Sequence, residues 1–193
     1  MTHQRYKPSS VSFTPSATLP VSVEDAKAHL RVSGSSEDAL ITLYIQAAAR
    51  YLEEAHGLLL LDTTVTEIFT DLPGEEGYYS LTRGPVSTLT SVTGNTVEGT
   101  GTFTAPTGTT VLNAAHNRAR VYAPDGWDWG FNPWQIKIVY KAGWASASAI
   151  PAPVRLGVLL LVGDLYENRQ DSVTGLNTNA HRLLQPYMVV PGV

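Results

Sequence analysis

The hydrophobic positions repeat at helical spacing in the first third of the chain. Ser22 is followed by two acidic residues, which is typical of a helix N-terminus because oxygens and negative charge favour the free backbone N–H groups there. This pattern predicts a short helix that ends near Gly34. Apolar residues then recur at spacings of three and four from Ala39 to His56, and Gly57 follows, so a second helix of about 20 residues is predicted. Its predicted apolar side comprises Leu40, Leu43, Tyr44, Ala47, Ala48, Tyr51, Leu52 and Ala55.

The spacing changes to alternation beyond Leu61. Segments rich in β-branched residues predict strands over 63–72, 78–82, 86–92, 110–112, 119–122 and 135–140. Residues 93–110, rich in Thr and Gly, predict a loop or an exposed hairpin. Helical spacing returns between Pro151 and Arg169, and residues 177–187 are compatible with a last short helix before an apolar tail.

These elements predict an α+β chain. Two N-terminal helices and a long C-terminal helix would form a helical bundle, with a β-rich insertion between them and an extended C-terminal arm. The predicted parts are an extended N-terminal arm at 1–20, a helical core at 21–62 and 150–170, the β-rich insertion at 63–149, and the C-terminal arm at 171–193.

Composition narrows the class of protein. The 193 residues are 43% hydrophobic, which excludes intrinsic disorder, but only 16% are charged against about 25% in typical globular proteins. With so few charged residues, either uncharged polar groups form much of the surface, or a partner protein covers part of it. The net charge of -4 argues against a protein that grips the nucleic-acid backbone, which needs clustered cations.

No motif marks an enzyme, and none predicts a cofactor. The five histidines lie too far apart in sequence for a metal-ligand motif, and the absence of cysteine removes thiolate sites, so no metal is predicted. The pair Glu53 and Glu54 is interpreted as part of a solvated helix face. Residues 1–20 lack the apolar run of a secretory signal, and the runs 58–61 and 158–162 are too short to span a membrane.

The segment 125–134 holds three of the four tryptophans and is the most unusual part of the sequence. Aromatic residues are enriched both in packed loops and at interfaces, so packing or an inter-subunit contact is the favoured interpretation. The aromatic residues concerned are Trp127, Trp129, Phe131 and Trp134. The alternatives are a sugar-binding platform that uses the three tryptophans and a hydrolase that uses Asp125 or Asp128, although no accompanying base or nucleophile pattern is present.

Six segments in this order resemble the head–tail connector (adaptor) family of tailed bacteriophages and phage-like gene transfer agents. They run from Leu19-Pro-Val-Ser-Val-Glu-Asp and Ser36-Glu-Asp-Ala-Leu, through Tyr51-Leu-Glu-Glu and Leu81-Thr-Arg-Gly-Pro-Val, to Ile138-Val-Tyr-Lys-Ala-Gly-Trp and Ile150-Pro-Ala-Pro-Val. The resemblance extends over roughly residues 19–187.

The resemblance implies a structural protein without catalytic activity, located at the head–tail junction of a virion that is assembled in the host bacterial cytoplasm. Family members form rings, commonly of twelve subunits, in which the helical core contacts its neighbours. The ring docks on the portal protein and extends the DNA channel toward a stopper or tail terminator protein, for genome retention and ejection. Double-stranded DNA would pass through the lumen without specific binding, and no membrane would be involved.

The resemblance also implies where the contacts lie. The C-terminal arm would bind the portal and become ordered on binding, through the apolar residues Leu183, Leu184, Tyr187, Met188, Val189 and Val190. The loops of the β-rich insertion, with Trp127, Trp129, Phe131 and Trp134, would contact neighbouring subunits or the next ring.

Overall fold

The structure is a computed structural model, and it describes residues 5–6, 8–70, 77–95, 102–112, 119–127, 133–169 and 178–188. Within these residues the helices are α1 (Val23–Leu30), α2 (Asp38–His56), α3 (Ala152–Glu167) and α4 (Thr178–Leu184). The strands are β1 (Arg5–Tyr6), β2 (Ser10–Phe13), β3 (Thr63–Phe69), β4 (Tyr78–Ser80), β5 (Val86–Asn95), β6 (Thr102–Thr104), β7 (Thr110–Leu112), β8 (Arg120–Tyr122) and β9 (Gln135–Ala142). A 3₁₀ turn over Ala147–Ala149 leads into α3.

The strands form two sheets that share one hydrophobic core. The larger sheet is antiparallel with the order β2-β3-β9-β5-β6, and the smaller has the order β1-β4-β8-β7. Their shared core contains large residues from both sheets, and the rings of Phe69 and Tyr79 lie 4.6 Å apart within it. Alternate burial along β9, from Gln135 to Ala142, matches the alternation seen in the sequence.

The helices enclose a second core. Its fully buried aliphatic residues on α2 and α3 are Ile41, Ile45, Leu52, Val154, Val158 and Val162. An ion pair and a hydrogen bond connect the start of α2 to the end of α3. Arg169 Nη2 lies 3.1 Å from Glu37 Oε1, and the Tyr166 hydroxyl donates a hydrogen bond to the other oxygen of the Glu37 carboxylate. The Tyr166 hydrogen bond, followed by that from Arg169, lowers the pKa of Glu37.

The apolar run Leu58–Leu61 joins the two cores. Leu58 and Leu60 pack in the helical core, whereas Leu59 between them points into the β core. The Leu59 N–H donates to the Gly84 carbonyl oxygen over 2.9 Å, and the Gly84 N–H donates to the Gly57 oxygen over 3.0 Å. The loop before β5 is thus bonded to the segment that leaves α2.

The return from β9 to α3 is bonded to the same place. The Gly143 N–H donates to the Pro85 carbonyl oxygen over 2.8 Å, and the Asp62 N–H donates to the Trp144 oxygen over 2.9 Å. Gly143 has a φ of +103°, and a Cβ added there would lie 2.3 Å from the Leu61 carbonyl oxygen. Only glycine fits, because both the backbone conformation and the space exclude a side chain.

The α+β class predicted from the sequence is confirmed. Residues 93–110 include β6, which pairs with β5, so the hairpin is the alternative that the structure adopts. Within the predicted N-terminal arm, residues 10–13 pair with β3 as the edge strand β2. The last short helix with which the sequence is compatible forms as α4, and it packs on α3 because its apolar residues find a partner within the same chain.

Replacing Gly143 by Ala tests the close approach between Gly143 and the backbone of Leu61. We expect Gly143→Ala to lower the free energy of unfolding by about 3 kcal/mol, since it combines a positive φ with a clash against backbone atoms. Urea denaturation followed by circular dichroism measures the loss. The matched control is Gly34→Ala, where φ is +82° but no atom lies within 4 Å, so only about 1 kcal/mol of backbone strain is expected. Equal losses for the two variants would contradict the close approach.

Candidate assembly surfaces

The predicted portal-binding residues lie partly inside the helical core. Leu184 is only 1% exposed and Met188 is also buried, while Leu183 and Tyr187 are half-buried. The Tyr187 ring lies 6.3 Å from that of Trp144. Four of the six predicted residues are therefore packed to some degree against their own chain, and Val189 and Val190 lie outside the described residues.

A glycine on α3 makes this docking possible. A Cβ built at Gly157 would lie 2.7 Å from Leu184 Cγ and about as close to both methyl groups. The helix that packs closely on Gly157 is therefore α4. The ring of His181 on α4 lies 6.0 Å from that of His56 at the end of α2. Burial, and then the neighbouring His181, lower the pKa of His56, which favours its neutral form.

The aromatic residues of segment 125–134 do not share one environment. Trp127 is half-buried, its indole N–H donates to the Gly77 carbonyl oxygen over 2.8 Å, and its ring meets Tyr79 edge-on at 4.9 Å. Trp134 is 59% exposed and precedes β9, the middle strand of the larger sheet. Trp129 and Phe131 lie outside the described residues. Trp127 is thus engaged within the protein, and Trp134 is the candidate for an external contact.

Helix α2 carries two apolar faces where the sequence was interpreted as having one. The core side comprises Ile41, Ile45, Ala48 and Leu52. Leu43, Ala47 and Tyr51 were predicted to belong to the apolar face, yet they are exposed, and Leu43 is 57% exposed. The reason is geometric, because residues on a stripe about 130° around the helix from the core side cannot reach the same core.

The exposed face of α2 borders a groove, which we call the α2 groove. It has a volume of about 380 Å³ and lies between α2 and the extended residues 15–20, with Leu43, Ala47 and Leu60 among its lining residues. Arg50 and Glu53 lie at one end. The groove is open and mostly apolar, so it is suited to a protein side chain rather than to a polar metabolite.

The interpretation of Glu53 and Glu54 as a solvated pair is wrong for Glu53. Glu53 as a whole residue is 5% exposed, whereas the side chain of Glu54 is 61% exposed. One Arg50 Nη1 atom serves both carboxylates, at 3.5 Å from Glu53 and 3.9 Å from Glu54. Burial raises the pKa of Glu53, and Arg50 opposes this only in part. This end of the groove therefore carries one carboxylate more than it has cations.

A second groove lies between α1 and α3, and we call it the α1/α3 groove. Its volume is also about 380 Å³, and it is lined by Asp25 and His29 of α1 and by Arg155, Leu156 and Leu159 of α3. Leu156 is 44% exposed. Arg155 is exposed and makes no ion pair with any carboxylate in the described part of the chain. The two grooves share no lining residue.

The fully buried acid Glu67 is a structural group. Its Oε1 accepts hydrogen bonds from the Thr82 N–H over 2.9 Å, the Thr82 hydroxyl over 2.6 Å and the Tyr140 hydroxyl over 2.7 Å. Burial raises the pKa of Glu67, and these hydrogen bonds oppose that effect. The carboxyl group links β3, β9 and the loop before β5, and its bonds are made to protein donors.

Other kinds of site find no support in the described residues. No group of three or more His, Cys, Asp or Glu side chains there is arranged to hold a metal ion. None of the helices described is both long and apolar enough to cross a membrane.

Known proteins share part of this sequence and most of this fold. Residues 20–80 match the family model described as the phage gp6-like head–tail connector protein. The match covers α1, α2, β3 and β4, and it confirms the resemblance to head–tail connectors inferred from the sequence. The family is one of structural connector proteins and not of enzymes, in agreement with the prediction. No curated protein matches the sequence.

Solved structures extend the likeness to nearly the whole chain. A chain in the neck of an empty gene transfer agent particle, computed with C6 symmetry, is 22% identical with a TM-score of 0.74. A chain in the virion of a native gene transfer agent particle is 22% identical with a TM-score of 0.70, and one in the native neck computed with C12 symmetry is 21% identical with a TM-score of 0.70. Each likeness covers 94% of this chain and 97% of the other, and it shows that the fold is shared.

The packing of α4 can be tested at Gly157. We expect Gly157→Ala to cost about 1–3 kcal/mol of stability, because the whole Leu184 side chain must move. It should also speed tryptic cleavage after Arg182 in α4, measured by mass spectrometry under native conditions, since cleavage needs local unfolding.

Gly163 on the same helix provides the matched control. The nearest atom to an added Cβ there is His29 Nε2 at 3.5 Å, so Gly163→Ala should be neutral or stabilise by up to about 1 kcal/mol through helix propensity. If both variants keep the wild-type stability and cleavage rate, Leu184 does not pack on Gly157 as described.

Proposed function

We propose that this chain is a structural head–tail connector, or adaptor, protein of a tailed phage or phage-like particle. The observation that carries the proposal is the connector-family match over residues 20–80, on a fold that is shared along 94% of the chain with a neck protein. In this role the protein sits at the head–tail junction of the virion, after assembly in the host bacterial cytoplasm, and works through binding alone.

A ring of identical subunits, twelve in number, is part of the proposal. The neck structures that share the fold were computed with C6 and C12 symmetry. A closed ring needs two different, complementary surfaces on each subunit. The α2 groove and the α1/α3 groove are two apolar surfaces without a common residue, which supports this requirement.

The ring would dock on the portal protein and extend the DNA channel toward the next neck or tail protein, for genome retention and ejection. The net charge of -4 supports passage of double-stranded DNA without specific binding, because a channel rich in cations would retain the phosphates. Exposed Trp134 and Leu112, both in the β-rich part, are proposed contacts to a neighbouring subunit or the next ring.

The C-terminal segment is the proposed portal contact. With Leu184 and Met188 buried, the half-buried Leu183 and Tyr187, together with residues 189–193, are the groups offered to the portal while α4 stays docked. A contact through Leu184 and Met188 would require α4 to leave the surface of α3.

A docking assay with the portal protein of the same particle tests the role. The variant combines Leu183→Ala with removal of residues 189–193, which leaves Leu184 and Met188 in the core. We expect it to bind the portal at least about tenfold more weakly, because removing an anchor residue of an interface costs about 2 kcal/mol or more and about 1.4 kcal/mol is a tenfold change in affinity. Binding is measured by co-sedimentation and by negative-stain images of the portal with the added ring.

The matched control is Leu165→Ala, which removes an exposed leucine from α3 and should leave docking unchanged. If the wild-type chain adds no ring to the portal, the proposed function is wrong. If the truncated variant docks as well as the wild type, the portal contact lies elsewhere on the chain.

A further inference from the structure

We propose that the α2 groove of one subunit receives the α3 residues Arg155 and Leu156 of a second copy of the chain, in a head-to-tail contact. This inference rests on the proposed function, since it names the two surfaces by which copies would join. It goes further in assigning the occupant of the α2 groove.

The apolar part of the contact is complementary. Leu43 and Ala47 form an exposed wall of the α2 groove, and Leu156 projects from α3 with 44% of its surface exposed. A single exposed leucine on a helix face is common on protein surfaces. When two exposed apolar surfaces cover each other, however, the removal of both from water lowers the free energy. A groove of about 380 Å³ has room for a leucine side chain beside its walls.

The charges at the edge of the contact are also complementary. At the α2 groove, Arg50 is shared between Glu53 and Glu54, so one carboxylate is in excess. At the α1/α3 groove, Arg155 is exposed and has no ion pair within the described residues. Placing Leu156 against the Ala47 end of this wall puts the adjacent Arg155 of the second copy about 10 Å along α2 from Glu54, a distance that the two long side chains can close.

The proposed contact is heterologous: each copy offers its α2 groove to one neighbour and its α3 residues to another. Copies joined in this way continue from one to the next, and they close into a ring only when the rotation from copy to copy is a whole fraction of a full turn. A two-fold dimer would instead make the contact twice between the same two copies, with Leu43 of each against Leu156 of the other. The two arrangements therefore differ in whether cross-linking continues beyond dimers.

The absence of cysteine in the chain makes a clean cross-linking test possible. The full-length double variant Leu43→Cys/Leu156→Cys is assembled on its portal, and also concentrated alone, and is treated with a short bis-maleimide. We expect a ladder of covalent dimers, trimers and larger species on a denaturing gel. Each single variant should stay monomeric, and an equal mixture of the two single variants should stop at dimers.

A matched pair controls for random collision. Leu165 is exposed on α3 about 13 Å along the helix from Leu156, so Leu43→Cys/Leu165→Cys should give no ladder. Dimers from Leu43→Cys alone, or a double variant whose cross-linking stops at dimers, would overturn the head-to-tail contact in favour of a two-fold one. Cross-linking of Leu43→Cys to the portal in place of a second copy would overturn the assigned occupant.

Charge reversal gives a second, independent readout. Arg155→Glu in the double-cysteine background should lower the yield of the ladder about fivefold, and adding Glu54→Arg should restore it, because the pair is re-formed with opposite signs. Lys137→Glu, the same charge change at an exposed position on β9, should have no effect. Loss of the ladder without rescue by Glu54→Arg would overturn the charge pairing.

The outcomes separate this inference from the proposed function. Rings on the portal without a ladder would overturn the groove contact and leave the connector role standing. A ladder in solution without any docking to the portal would support the groove contact and count against the connector role. Neither rings nor a ladder would overturn both.

Discussion

The structure depends on the hydrogen-bonded crossing where three chain segments meet between the two cores. The segment leaving α2, the loop before β5 and the return from β9 are joined by backbone bonds that involve Gly57, Gly84 and Gly143. Because Leu58, Leu60 and Leu61 pack in the helical core while Leu59 packs in the β core, this segment joins the helical part to the β part. The proposed role, in which the helices contact neighbouring copies and the sheets contact another ring, needs the two parts to be held rigidly together.

Once the cores are filled, the helices still carry apolar surface. Leu43 on α2 and Leu156 on α3 remain exposed, whereas Gly157 on α3 is covered by Leu184. Only 16% of the residues are charged, and the α2 groove and the α1/α3 groove are places where uncharged residues form most of the surface. Surfaces of this kind are expected on proteins whose stable state is an assembly.

Much of the fold was predictable from local pattern. The spacing of α2, the alternation of β9 and the capping residue Ser22, whose hydroxyl oxygen accepts a hydrogen bond from the Asp25 N–H, all reflect short-range physics. The side of α2 that is buried was not predictable, because Leu43 and Ile45 are equally apolar and only tertiary packing distinguishes them. The same holds for Glu53, which the sequence could not separate from its exposed neighbour Glu54, and for Leu184, whose partner Gly157 lies on another helix.

Electron cryo-microscopy of the intact particle encoded with this chain tests the central claim most directly. The account predicts a closed ring of copies of this fold between the portal and the tail, with the helical parts in contact from copy to copy. It would be contradicted if density for this fold were found away from the head–tail junction, or at the junction as isolated copies that do not touch one another.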